Sequence, residues 1–568
     1  MTEKEKNDKI INLAVRKGFF WKSFELYGGS SGFWDYGPLG SIIKKKILDE
    51  WMRFYRIKEG FLEVDTPTIN LDKVFVASGH IENFVDIIVK CDNCKEEYRA
   101  DHLLNDLGID IEGTDLNKYE ELIERNNIRC PVCGGKLGRC QRFNLMFETS
   151  IGVDRNNRSG YLRPETAQGI FINFLRLSRL ARTLPFGVVQ IGKAYRNEIS
   201  PRQGIIRLRE FTIAEAEIFI DPNEDGLSID KVADYVVNLF PRDYNREIRI
   251  TIKEAIDNKI IRNKFVAYNI AIANMFLTRI GIPNEKIRFR QHKKDEMAHY
   301  ASDCWDAEIK TDKYGWIEVA GIADRGDYDL RSHSIESDQE LYIFKPFDKP
   351  IKVKKNVIKP NMDIIGPMFK DKSPLILEKL KKGEGIIKDG DLHLKIGDED
   401  IIIKNGAYSI EETDEEVHGE KIVPHVVEPS YGIDRILYSL LESSYREEPL
   451  ENGEMRVVLG FKAFMSPIDV AVFPLLPKKE LIEKSKEVTE LLKSYNLYVF
   501  YDDNGSIGRR YRRQDEAGTP FCVTIDFDTL DDDKVTVRDR DTMKQERIKI
   551  SDLGEFLEDL IEQSKSTP

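Results

Sequence analysis

The chain has 568 residues and a formal net charge of -13 at pH 7, with a sequence pI of about 5.4. That acidity excludes nonspecific nucleic-acid binding over the whole surface, but it leaves room for a local basic patch. The length exceeds what one hydrophobic core supports and calls for about two to four domains. The start, "MTEKEKNDKI", is charged from residue 2, and no later run approaches the length of a membrane span. The expectation is a soluble, cytoplasmic protein with no membrane partner.

In chain order, residues 1–18 read as a helix that leads into the glycine-rich, aromatic "YGGSSGFWDYGPLG". The helically spaced "SIIKKKILDEWMRFYRIKEG" then feeds a short strand, "FLEVDTPTI", interrupted by Pro67. Residues 80–160 turn polar and cysteine-bearing and read as an insertion. "RPETAQGIFINFLRLSRL" reads as a loop entering a helix. The β-branched runs "FGVVQIGKAY" and "FTIAEAEIFI" read as antiparallel strands joined by an arginine-bearing loop.

Residues 221–300 are mixed helical, and "WIEVAGIADRGDYDL" is a strand running into a polar loop. Short alternating β segments over about residues 340–425 suggest a second insertion. The acidic "EETDEE" there is the one low-complexity tract. "HVVEPSYGIDRILYSLLE" switches from strand to helix at the Pro-Ser-Tyr-Gly turn. From residue 458 to 568, strands and helices alternate as in an α/β domain of about a hundred residues. Residues 1–457 should fold separately as an α+β domain carrying both insertions.

The stretch "RNEISPRQGIIRLREFT" concentrates Arg196, Arg202, Arg207 and Arg209 in an acidic chain. Pairing with Glu198 and Glu210 would explain them as surface ion pairs of small worth. On a strand-flanked loop they would instead present planar forks to an anion. Glu165, Glu215 and Glu428 stand on or beside strands near this loop, with Arg325 and Arg435. Such a mixed-sign set suits an ammonium on one side and a polyphosphate on the other.

Of seven cysteines, Cys91 and Cys94 form one Cys-x-x-Cys pair, and Cys130 and Cys133 another, with Gly-Gly following the second. This is a signature of structural Zn²⁺, with reduced thiols as the alternative and Cys140 as a substitute ligand. Cys304 and Cys522 sit in apolar sequence and read as buried packing residues. Arg509, Arg510, Arg512 and Arg513 surround Tyr511 in "GRRYRRQ". They make either a solvated helix face or a nucleic-acid contact.

"YRNEISPRQGIIRLREFTIAEAEIF" resembles motif 2 of the class II aminoacyl-tRNA synthetases, and "HVVEPSYGIDRILY" resembles their motif 3. The helix-strand-proline unit ending at Pro67 is similar to motif 1. "WDYGPLG", "RADHLL", "RPETAQGIF", "HYASDCWDAE", "ADRGDYDL" and "GSIGRRYRRQDEAGTPFCVTIDFDT" resemble, more narrowly, the homodimeric glycyl-tRNA synthetases of archaea and eukaryotes. The resemblance spans nearly the whole chain.

It implies an antiparallel-sheet catalytic domain of class II type and a C-terminal α/β anticodon-binding domain. The implied partners are ATP with Mg²⁺, glycine, tRNA(Gly) and a second copy of the chain. The implied catalytic residues are Arg196, on the ATP α-phosphate, Glu198, and Arg435, on the γ-phosphate. The ATP-binding set adds Asn197, Ile206, Arg207, Leu208, Arg209, Glu210, Phe211, Glu318, Val319, Arg325 and Gly432. The glycine-binding set is Arg99, Glu165, Phe211, Thr212, Glu215, Glu428 and Ser430, although Arg99 could equally brace the cysteine insertion. The arginines at 509, 510, 512 and 513 become candidate tRNA contacts. A class II enzyme for another small amino acid, or a relative without catalysis that binds nucleic acid, would fit part of this pattern. The second would be marked by loss of a motif 2 or motif 3 arginine.

Overall fold

Residues 264–280, "KFVAYNIAIANMFLTRI", carry no charge between the terminal Lys264 and Arg279, and a helix apolar on every side must be enclosed. Lys264–Ile280 is that helix, capped by the Asn263 side chain at its start and by Gly281, at φ 116°, at its end. It lies within the main core, a cluster that also draws on the helices Pro38–Met52 and Ile433–Ser444. The computed structural model describes residues 3–566 except 110, 112, 114, 154–157, 202–203, 225, 245, 295–296, 299, 382–383, 389, 398 and 451–452. Arg202 of the arginine stretch therefore lies outside the described residues.

The chain divides into two compact units, Met1–Leu341 with Val423–Pro568, and Tyr342–Ile422. A nine-stranded sheet organises the larger unit. In chain order its strands are β1 (Leu62–Glu63), β2 (Phe186–Tyr195), β3 (Glu210–Ile220), β4 (Val236–Phe240), β5 (Ile248–Thr251), β6 (Ile287–Gln291), β7 (Asp303–Thr311), β8 (Gly315–Gly326) and β9 (His425–Gly432). In space they run β5-β4-β6-β7-β8-β9-β3-β2-β1. Neighbours are antiparallel except β1 with β2 and β4 with β6.

The strands flanking the arginine loop pair as their pattern predicts, with Lys193 opposite Thr212 and Gln190 opposite Glu215. The expected polar loop after β8 is instead the helix Tyr328–Ser337, which buries Asp329, Leu330 and His333. Its polar sequence conceals a packed face because two of those three buried residues are themselves polar. "YGPLG" is fixed by close approach: a Cβ on Gly40 would fall 1.8 Å from the Phe19 carbonyl oxygen.

Within the cysteine-bearing region, the strand Val85–Cys91 pairs antiparallel with Glu97–Arg99 and with Leu137–Asn144. This small sheet has a core of its own, including Val89, Leu104, Tyr119 and Ile123. Near the C-terminus, β10 (Val470–Pro474), β11 (Val499–Tyr501), β12 (Phe521–Ile525), β13 (Lys534–Asp539) and β14 (Gln545–Lys549) form a five-stranded sheet of order β11-β10-β12-β13-β14. Its core includes Val470, Val472, Leu481, Val488, Val523 and Leu557. The pattern predicts every element here except β14 and the helix Phe527–Asp532, whose sequences are too polar or too short to show a period.

In the smaller unit, Ile343–Pro360 pairs antiparallel with Tyr408–Ile422, placing Lys354 opposite Asp414 and Lys352 opposite Glu416. The acidic tract is thus the charge complement of a lysine-bearing strand, since opposite charges across an antiparallel pair are favourable. Lys354 also meets Glu412 at 2.7 Å.

Candidate active site

The register of three adjacent strands builds the site. Glu215 on β3 lies opposite Ser430 on β9, and Gly321 and Ala323 on β8 lie opposite Ser430 and Glu428. Because side chains alternate along a strand, Glu428 and Ser430 share a face with Glu215. A cavity of about 250 Å³ opens there. It is lined by one group of carboxylates and hydroxyls, Glu165, Glu215, Glu428 and Ser430, and by a second group in which Arg196, Arg207 and Arg435 accompany Glu318.

In the first group, Ser430 Oγ donates to Glu215 Oε1 at 2.8 Å. The Thr166 backbone N–H donates to Glu215 Oε2 at 2.6 Å, and that of Ala167 at 3.0 Å. Arg325 lies beneath, its side chain 0% exposed, with bonds to Asp329 at 2.8 and 2.9 Å and to Glu428 at 3.0 Å. It reaches Glu165 at 3.4 Å and stands over the Tyr300 ring at 3.8 Å.

Glu217, two residues beyond Glu215, is fully buried, and both its oxygens lack a hydrogen-bond partner. Arg325 thus pairs with Glu165, Asp329 and Glu428, Glu215 and Glu217 share the strand face beside them, and the four glutamates do not ionise alike. Burial opposes charge on Glu165, but Arg325 and His80 outweigh it and hold the carboxyl well below its usual range. Burial raises Glu215, with Glu165 adding to the effect. Glu428 is pushed up to about 8 by burial, with Arg325 opposing and Glu215 and Glu165 reinforcing. Burial, then Glu428, raises Glu217. The group is short of positive charge, and a bound cation would relieve it.

In the second group, Arg435 occupies the first turn of the helix Ile433–Ser444. Its Nε donates to the Ile206 carbonyl at 3.1 Å, and Nη1 donates to the Glu318 carbonyl at 2.8 Å. Asp434 beside it accepts from the Thr212 backbone N–H at 2.6 Å and from Lys44 at 3.0 Å, fixing that turn against β3. Arg196 stacks over Phe84 at 5.4 Å and Phe211 at 5.3 Å. Arg207 pairs with Glu198 at 3.1 Å.

Of the residues expected on sequence, Glu198, Ile206, Leu208, Phe211, Val319 and Gly432 also line the cavity. Asn197, Arg209, Glu210, Thr212, Arg325 and Arg99 are not on its wall. Arg209 is bound to the carbonyls of Glu198 and Ser31, and Glu210 pairs with Lys193 at 3.0 Å. Thr212 is buried. Arg99 is clamped between Asp86 at 3.1 Å and Asp101 at 2.7 Å, a bracing position in the cysteine-bearing region.

Arg510 departs furthest from expectation. It is 1% exposed and bonds the Pro474 and Gly505 carbonyls, so it cannot meet a nucleic acid. Arg512 pairs with Glu454, Arg513 pairs with Asp502, and Arg509 is exposed. The reason is helical spacing, which turns the face of Ile507–Ala517 that carries Arg510 and Gln514 inward.

Cys304 is a second correction: it is half-buried and lines the cavity. Cys522 is 1% exposed, as packing requires. The sulfurs of Cys91, Cys94, Cys130 and Cys133 lie within 4.8 Å of one another. The distances from Cys91 to Cys133 and from Cys94 to Cys130 are both 3.5 Å. Ligands about 2.3 Å from a tetrahedral zinc stand at nearly such separations. The set fits the ion. Cys140 is packed in the neighbouring apolar core and is not part of the cluster.

Sequence reasoning passed over Glu217, His292, Tyr300, Asp306, Asp329 and Asp434. The alternation in "EAE" could have found Glu217, which shares the face of Glu215. Asp434 adjoins Arg435. The others reach the site only through tertiary packing.

A family model described as the tRNA synthetase class II core domain (G, H, P, S and T) matches residues 146–259. An anticodon binding domain model matches residues 469–560. Among solved structures, the chain is similar to the prolyl-tRNA synthetase of Giardia lamblia in complex with prolyl-adenylate, with a TM-score of 0.54 at 13% identity, covering 100% of this chain and 80% of that one. A prolyl-tRNA synthetase of Cryptosporidium parvum gives a TM-score of 0.51 at 12% identity, covering 98% and 75%. At such identities the likeness concerns the fold. With the antiparallel sheet and its two-signed cavity, these matches define a class II aminoacyl-tRNA synthetase.

The glycine–tRNA ligase of Methanothrix thermoacetophila is 49% identical over 566 residues, 98% of this chain and 97% of that protein. The one from Methanocaldococcus jannaschii is 48% identical over 582 residues, 99% and 100% of the two chains. The chain belongs to the glycine–tRNA ligase family.

Proposed function

We propose that this chain activates glycine with ATP to glycyl-adenylate and pyrophosphate, then transfers glycine to the 3′ end of tRNA(Gly). The observation that carries the reading is the pairing, in one cavity, of a carboxylate group short of positive charge with a group bearing Arg196 and Arg435. The glycine ammonium supplies the missing charge among Glu165, Glu215 and Glu428, with Ser430 beside Cα. Arg196 holds the α-phosphate and Arg435 the γ-phosphate, while Glu198, Phe211 and the backbone from Ile206 seat adenine and ribose.

A glycine carboxylate oxygen attacks the α-phosphorus, and the bond to the pyrophosphate oxygen breaks. A hydroxyl of the terminal tRNA ribose then attacks the glycyl carbonyl and displaces AMP. Fixed cationic groups suit both steps, because charge builds on phosphoryl oxygens and no protein nucleophile is required. Mg²⁺ bound with ATP would neutralise phosphate charge, and the Glu318 carboxylate is the hard oxygen donor on the cavity wall suited to hold it.

Arg325 and Arg99 act in this reading as buried counter-charge and brace. Arg209, Glu210, Asn197 and Thr212 support the loop and strand behind the ATP site. The C-terminal α/β part reads the anticodon arm, using the outward arginines of its helix. Residues 1–457 and 458–568 are the catalytic and anticodon-binding domains. The four-cysteine set holds structural Zn²⁺, and the enzyme works as a cytoplasmic homodimer. Among the described residues no helix is long and apolar enough to cross a membrane.

Glycine must be told from alanine by one methyl group, worth only about 1–3 kcal/mol in a yielding pocket. The buried bonds that fix Glu215 and Glu428 supply unyielding walls. ATP–pyrophosphate exchange tested with glycine, alanine, serine and proline should proceed with glycine alone. Exchange with a different amino acid would overturn the specificity, and exchange with none, in the presence of tRNA, the catalytic reading.

A further inference from the structure

The cavity has a third group of side chains, which the ligase chemistry above does not use. His292, directly after β6, donates its backbone N–H to the Cys304 carbonyl at 2.9 Å, so the two residues face each other across the β6–β7 ladder. Asp306 lies two residues beyond Cys304 on β7 and therefore on the same face. All three side chains line the cavity. A His nitrogen, the Cys304 sulfur and an Asp306 oxygen lie within 4.8 Å of one another.

Two details point to a shared ligand. His292 Nε2 forms an ion pair with Asp306 Oδ1 at 2.7 Å, and the buried Nδ1 has no hydrogen-bond partner. The other carboxylate oxygen, Asp306 Oδ2, is held by Arg290 at 3.0 Å. That bond orients the carboxylate from behind and leaves Oδ1 toward His292.

We propose that His292, Cys304 and Asp306 form a three-ligand site for a transition-metal dication of the zinc class, with its open coordination position facing the cavity. Nitrogen, sulfur and oxygen donors in a set of three match zinc sites that keep a fourth position free. A thiolate ligand selects against Mg²⁺, which takes hard oxygen donors. The site is separate from the four-cysteine cluster in residues and in strands. The inference goes beyond the ligase reading and does not depend on it.

The test uses the full-length protein. Metal-depleted protein is treated with iodoacetamide alone, with Zn²⁺ or with Mg²⁺, and alkylation of each cysteine is followed by peptide mass spectrometry. Zinc should slow modification of Cys304 roughly tenfold or more, because a coordinated thiolate is no longer a free nucleophile, while Mg²⁺ leaves the rate unchanged. Equal rates with and without Zn²⁺, or equal protection by Mg²⁺, would overturn the site. His292→Ala, with its fold checked by circular dichroism, should lose the protection of Cys304 and keep that of Cys91. Protection of Cys304 that survives this substitution would likewise reject the triad.

Discussion

Arg196 to Arg209 and Arg509 to Arg513 each carry four arginines in an acidic chain, and on sequence both are candidate anion-binding stretches with exposed ion-paired or solvated arginines as the alternative. In the first, Arg196 and Arg207 face a cavity, and Arg435 joins them from a distant helix. In the second, Arg510 points inward and satisfies two carbonyls, while Arg512 and Arg513 pair with acidic neighbours. A guanidinium binds a ligand where the backbone leaves it a concave, open face. Where the helix turns it inward, the same group becomes a strut. Arg325 shows that the cavity, too, has its strut, buried beneath the carboxylates.

Substitutions can break that contrast, and the largest effect belongs to the cavity. Arg435→Ala should lower glycine-dependent ATP–pyrophosphate exchange about 10²–10³-fold, the cost of removing one donor to developing charge, while the thermal midpoint stays near that of the parent. A near-normal exchange rate would remove Arg435 from the phosphate site.

Arg510→Ala should do the reverse. Leaving the Pro474 and Gly505 carbonyls unpaired costs about 1–3 kcal/mol, read as a lower urea midpoint with exchange unchanged at low temperature. Arg509→Ala in the same helix should leave the urea midpoint in place. If Arg509 proves the more destabilising of the two, the inward and outward assignments are wrong.

The smallest effect tests the carboxylate group. Because Glu428 is held up to about 8 in the empty protein, capture of the glycine ammonium must drive off a proton below that pH. Apparent glycine affinity should rise with pH from about 6.5 to 8.5, by at most about tenfold per unit, and Glu428→Gln should flatten the slope. For folding of the empty protein the sign is opposite. A carboxyl whose folded value exceeds its ordinary 4.5 loses stability as pH rises from there through about 8. A slope retained in the Gln variant would assign the proton to another group, such as Glu215.

The sequence by itself determined the antiparallel strands around the arginine loop, the alternating C-terminal elements, and a strand-to-helix switch whose expected Pro-Ser-Tyr-Gly turn is instead the end of β9. These are local properties: periodicity, β-branching, proline and glycine act over a few residues. It also pointed to the three glutamates and the four clustered cysteines, because their motifs are contiguous. Only the tertiary structure decided that Arg325 and Arg510 are enclosed, that Arg99 is a brace, and that the apolar sequence around Cys304 conceals a cavity-facing thiol. It alone brought His292, Asp306, Tyr300 and Asp329 to the site. Burial and pairing arise from contacts between distant segments, so one-dimensional spacing carries no record of which face of a strand or helix meets another.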